Sequence, residues 1–80
     1  MKLLVRNLSR DTTEAELKAL FADIGQVTTC TLVMDKATGK SKGFGFVEMP
    51  KHIEAKTAIK ALNAKKIAGS VIRVKEAGAD

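Results

Sequence analysis

One pattern is written twice along this chain, and it limits the fold more than any other feature. In each copy a short apolar run leads into a helix signature and a strand-like run follows. The first copy begins with Leu3, Leu4 and Val5, apolar enough for a central strand. Thr13 followed three residues later by Glu16 is a capping box: the hydroxyl takes a free backbone N–H and the carboxylate reaches back. Leu17, Leu20, Phe21 and Ile24 then fall at the spacing of one buried helix face. Gly25 is expected to supply a left-handed stop. Val27 to Met34 is rich in β-branched residues and reads as a strand. Asp35 to Ser41, with Thr38-Gly39 inside it, reads as a loop. Gly43 to Met49 reads as the next strand, in a hairpin with the one before. The second copy follows. Pro50 can open a helix, because its missing N–H is not needed there. Ala55, Ala58, Ile59 and Leu62 repeat the helical spacing, and Asn63 marks the end. Val71 to Lys75 alternates as a final strand, with Ile72 and Val74 on one face.

The order is strand, helix, strand, strand, helix, strand. Right-handed crossovers then lead to an α+β domain of the ferredoxin-like βαββαβ type, a four-stranded antiparallel sheet with two helices packed on one face. The other face is left open to solvent, and function is expected there.

Composition removes several classes of function. The 80 residues leave room for one small domain. With 45% hydrophobic and 29% charged residues the chain has the means to fold. A single Cys rules out an internal disulfide framework and a Cys-built zinc site, and a single His leaves little for a histidine-based one. No metal and no cofactor is expected. No apolar run is long enough for a membrane-spanning helix, and no membrane partner is expected. The opening MKLLVRNL is interrupted by Arg6 and Asn7 and does not read as a signal peptide. With a free thiol, this leads to an expectation of the cytoplasm. Fourteen Lys and Arg against nine Asp and Glu give a formal charge of +5, which suggests a polyanionic partner.

The chemistry is concentrated in Lys42-Gly43-Phe44-Gly45-Phe46-Val47-Glu48-Met49. Side chains alternate across a strand. Val47 and Met49 are needed by the helices and take the core side, with Gly43 and Gly45 leaving room for a close helix. Lys42, Phe44, Phe46 and Glu48 then point to the open face. Two phenylalanines in water beside a lysine form a stacking platform: every nucleobase has a π-face for the rings, and the cations hold phosphates.

This octamer resembles the octamer motif of the RNA recognition motif family and matches it at seven of eight positions, with Met49 in place of an aromatic at a core-facing site. Leu3 to Leu8, LLVRNL, is similar to the family's hexamer motif on the first strand. The resemblance covers essentially the whole chain, with residues 1–77 assigned to the motif and 78–80 to a short C-terminal tail. It implies single-stranded RNA as the partner, with single-stranded DNA as a second ligand, and adjacent central strands that gather the rings into one surface. Single-domain chains of this kind resemble bacterial and organellar members. One departure matters: where the family usually carries an aromatic at the second hexamer position, this chain has Leu4. There is no Tyr or Trp, and Phe21 is assigned to the core, so the platform has two rings instead of three.

The expected RNA-binding residues are Leu4, Arg6, Lys42, Phe44, Phe46, Arg73 and Lys75, all alternating onto the open face. Lys51, Lys56, Lys60, Lys65 and Lys66 lie on or after the second helix and read as a solvated surface facing away from the sheet. Asn7 is read as a turn-stabilising side chain, Cys30 as a small buried hydrophobe beside Leu32, and His52 as structural or idle. No nucleophile–base pair is visible, so the chain is not read as an enzyme. The rival is a protein–protein interaction module on the same fold, its exposed rings and leucine docking a peptide. A monomer is expected over a dimer.

Overall fold

A computed structural model describes residues 1–77; the expected tail at 78–80 lies outside the described residues. The elements are β1 (Lys2–Arg6), α1 (Glu14–Ala22), β2 (Thr29–Met34), β3 (Ser41–Glu48), α2 (His52–Leu62), β4 (Lys66–Ile67), β5 (Ser70–Val71) and β6 (Arg73–Glu76). β1 and β3 pair at the centre of a four-stranded antiparallel sheet in the order β2-β3-β1-β6, flanked by the edge strands β2 and β6.

The core collects one face of each element. Leu3 and Val5 of β1, Val47 of β3 and Met49 just beyond it, Ile72 and Val74 meet Leu17 and Phe21 of α1 and Ala55, Ala58 and Leu62 of α2, and all are buried. Leu20, Ile24 and Ile59 close its rim. Burying this apolar surface is the main stabilising force, at about 25 cal/mol per Å² removed from water. The alternation that buries Leu3, Val5 and Val47 turns Leu4, Phe44 and Phe46 outward.

The capping box forms as expected. The Glu16 backbone N–H donates to Thr13 Oγ1 (3.1 Å), and the Thr13 N–H donates to Glu16 Oε1 (2.9 Å). Three local expectations are corrected. Gly25 does not adopt a positive φ; α1 ends with a right-handed Asp23 cap. Glycine is needed there because a Cβ would collide with the Glu54 side chain, whose Oε1 accepts from the Gln26 N–H (2.9 Å). Pro50 lies outside α2. The β3 pairing runs on through Met49, whose N–H donates to Met1 O (2.9 Å), so helix entry is delayed to a Lys51 cap. The last strand is not one run. Ala68 (φ 51°) and Gly69 (φ 84°) turn the chain between Ile67 and Ser70, making the small β4–β5 hairpin before β6 begins at Arg73. Two successive positive φ values are the signature of the tight hairpin turn whose twist matches its strands.

The two inner glycines of β3 have different causes. A Cβ on Gly45 would sit 2.5 Å from the Thr31 carbonyl oxygen and 3.2 Å from Leu17 Cδ2, so neighbouring strand and α1 both press on it. Gly43 is there for its backbone, with φ 84° at the point where its carbonyl accepts from the Leu8 N–H (2.8 Å).

Helix-borne oxygens cap outward N–H groups on both sheet edges. On β2 the Leu32 N–H donates to Glu14 Oε2 (3.0 Å); on β6 the Val74 N–H donates to Asn63 Oδ1 (3.1 Å). Unpaired edges invite strand addition from another chain, and these caps oppose it.

Candidate nucleic-acid interface

Residues paired across antiparallel strands share a face, so the register assembles the open surface row by row. Thr31, Phe46, Leu4 and Lys75 form one row across β2, β3, β1 and β6. Arg6 faces Arg73 in the row on one side, and Glu48 lies between Lys2 and Thr29 on the other. The structure thus brings Leu4, Phe46 and Lys75 into line and sets the Arg6–Arg73 pair beside them. Arg6, Lys42, Arg73 and Lys75 are exposed, and Leu4, Phe44 and Phe46 are half-buried.

The rings do not stand free in water. Phe44 and Phe46 pack edge to face, with centroids 6.4 Å apart and planes at 87°. This is a favoured aromatic geometry, and it explains why both rings are partly covered. Lys2 Nζ lies 4.6 Å from the Phe46 centroid, over the ring. Lys2 is absent from the expected site. Its signal was available, since it shares the alternation of Leu4 and Arg6.

At one end of the sheet the rings give way to a shallow polar recess of about 300 Å³, lined by Arg6, Asn7, Leu8, Arg10, Lys42, Gly43 and Phe44. Three cations converge there beside one ring. Arg10 was also missed: it sits in the β1–α1 connection, where no periodicity says which way a side chain turns. Asn7 serves as a tertiary fastening, in place of the local turn stabiliser expected of it. Its backbone is left-handed (φ 59°), and Nδ2 donates to the Val71 carbonyl (2.6 Å), fastening the end of β1 to β5.

Cys30 lies on the edge strand and is half-buried rather than fully enclosed, packed against the core with Sγ donating to Glu14 O (3.8 Å). Burial pushes its thiol upward, the Glu14 charge adds to this, and Lys18 partly opposes it. A thiol held protonated is a poor nucleophile. His52 opens α2 and is exposed. Among the described residues no three His, Cys, Asp or Glu side chains cluster as metal ligands, and no helix is long and apolar enough to cross a membrane.

Comparison with known proteins places this arrangement. The RNA recognition motif family model matches residues 3–73. RbpB of Nostoc sp., named as an RNA-binding protein, is 43% identical over 77 residues, covering 96% of this chain and 75% of its own. The crystal structure of the RNA-binding protein PG1 superposes with a TM-score of 0.94 at 38% identity, covering 100% of this chain and 96% of that one. The Sxl-lethal protein/RNA complex gives a TM-score of 0.92 at 35% identity, covering 99% of this chain and 47% of that one. Its relatives are named for binding RNA and not for catalysis, and both motif strands lie at the centre of the same sheet: the chain belongs to the RNA recognition motif family.

Proposed function

We propose that this protein binds single-stranded RNA on the open sheet face without chemically altering it. The carrying observation is the pair of half-buried rings on the central strand β3, set among exposed cations with one ammonium already over a ring. Phe46 stacks on a base and Phe44 on the next, while Arg6, Lys42, Arg73 and Lys75 hold phosphates or base edges. Leu4 extends the apolar floor beside Phe46. A base stacking on Phe46 displaces the Lys2 ammonium from the ring, and Lys2 then serves the backbone. Family membership and the neighbour solved as a protein/RNA complex support this reading. Single-stranded DNA is a second ligand, because stacking and phosphate contact do not need the 2′-hydroxyl. The unit occupies residues 1–77 and acts as a monomer, in keeping with its capped edges, and works in the cytoplasm.

The test is fluorescence anisotropy with a labelled pool of short single-stranded RNAs, repeated across a salt series. Saturable binding that weakens with salt supports the reading. No salt-sensitive binding would sink it and leave the protein-interaction module.

A further inference from the structure

Around the end of the sheet from the polar recess lies a second, larger one of about 730 Å³, between the start of α1 and the β2–β3 hairpin. Its apolar wall is Leu32 and Met34; Arg10 and Lys40 supply cations, and Asp11 and Glu14 supply acceptors. Met34 is 48% exposed, among the few large hydrophobic side chains so placed in the described residues. Arg10 lines this recess and the polar one beside Phe44, so the two adjoin at its side chain.

The walls are firmly built. The capping box fixes the α1 side. On the hairpin side the Asp35 N–H donates to Lys40 O (2.7 Å), and Asp35 O accepts from the Gly39 N–H (2.7 Å). The lining also includes Thr12, 4% exposed, whose Oγ1 is a buried polar atom with no partner.

We propose that this recess is a nucleotide subsite beyond the sheet, occupied by the same RNA strand after it leaves Phe44 and passes Arg10. The inference rests on the RNA-binding reading above. The volume falls in the range of small-ligand sites, at roughly 300–1,000 Å³. The lining suits a nucleotide better than a lone phosphate. Met34 offers a polarizable thioether to a base face. Arg10 and Lys40 meet its phosphate, and the carboxylates of Asp11 and Glu14 accept from exocyclic amino groups.

The experiment is affinity against oligonucleotide length, from three to about eight nucleotides, for the parent and for Met34→Ala combined with Lys40→Ala. The parent is expected to gain about threefold to tenfold when the strand becomes long enough to round the end of the sheet. The variant is expected to lose that gain and to match the parent on the shortest strands. In parallel, the Met34 methyl resonance should move on adding long strands and stay still with short ones. An unchanged length curve in a variant with normal circular dichroism overturns the subsite. So does an equal loss at every length, which would mean the substitutions act on the sheet. A parent that binds no length in a salt-sensitive way overturns the RNA reading itself, and the subsite with it.

Discussion

Two surfaces of this molecule are basic, and only one of them has the build of a binding site. The segment from Lys51 to Lys66 carries five lysines and one acid, Glu54, whose carboxylate is turned onto the Gln26 backbone. The open sheet face carries Lys2, Arg6, Lys42, Arg73 and Lys75 with Glu48 among them. By charge the two are near equals. They differ in what the charges surround. On and after α2 the cations have Ile53, 81% exposed, and Val71, paired with Lys66 and 40% exposed, as scattered apolar neighbours, and neither recess described above reaches them. On the sheet they frame two packed rings and open into a recess. Charge without a stacking surface gives diffuse attraction that salt screens, whereas rings hold a base at short range.

The sharpest way to break the comparison is to remove the rings. Phe44→Ala with Phe46→Ala should lower RNA affinity at least about tenfold, since stacking contributes roughly 1–3 kcal/mol per base. The fold should survive, because neither ring belongs to the buried core. Unchanged affinity in a variant with a normal circular dichroism spectrum would falsify the platform and leave the two basic faces equivalent.

Salt makes the next distinction. With about two to four phosphates held, the log–log slope for a single strand should be roughly −1.5 to −3. Arg6→Gln with Arg73→Gln removes a facing pair from the sheet and should flatten that slope by about one, with a loss of several-fold at low salt. A much steeper parent slope, insensitive to this pair, would transfer the site to α2.

The sheet site was legible in the sequence because alternation is a strict rule. Once Leu3, Val5 and Val47 are needed inside, Leu4 and Phe46 have no choice of side, and the register then sets them opposite each other. What escaped has equally physical reasons. The β4–β5 hairpin turns on Ala68-Gly69, and Ala in place of the usual Asn or Asp hides a left-handed position. The α1 stop was assigned to Gly25 by local rule, but Glu54, 29 positions away, is what demands a glycine there. Arg10 belongs to a loop, and the recesses it joins exist only after folding. Non-local contact is the common cause.

A smaller effect sharpens the sheet side. Leu4→Phe should tighten RNA binding about threefold to tenfold, below a full stacking contribution because leucine already offers apolar surface to a base. Leu4 pairs with Phe46 and is half-buried on the open face, so a ring there joins the existing pair without entering the core. Equal affinity in the same titration would mean Leu4 does not touch RNA. Weaker affinity, with loss of a dimer in sedimentation, would make it a self-association contact.

The smallest effect is expected on the other face. Lys56 and Lys60 are one helical turn apart on the exposed side of α2, opposite the stripe of Ala55, Ala58 and Leu62 that it buries. Replacing both with alanine removes two charges from the basic segment and touches no core residue. Alanine is the strongest helix former, so stability should hold or rise slightly, by about 0.5 kcal/mol at most for exposed positions. RNA affinity should fall less than about twofold at physiological salt, because these charges lie beyond most of a Debye length, about 8 Å, from a strand held on the opposite face. The slope against salt should keep its parent value, since these lysines neutralise no phosphate and so release no counterions. That pairing of readouts is what gives the variant its force. A small drop with an unchanged slope is long-range attraction, which any basic surface supplies. A slope flattened as much as by the Arg6 and Arg73 pair would show that α2 holds phosphates directly, and that the charge on the two faces is used alike.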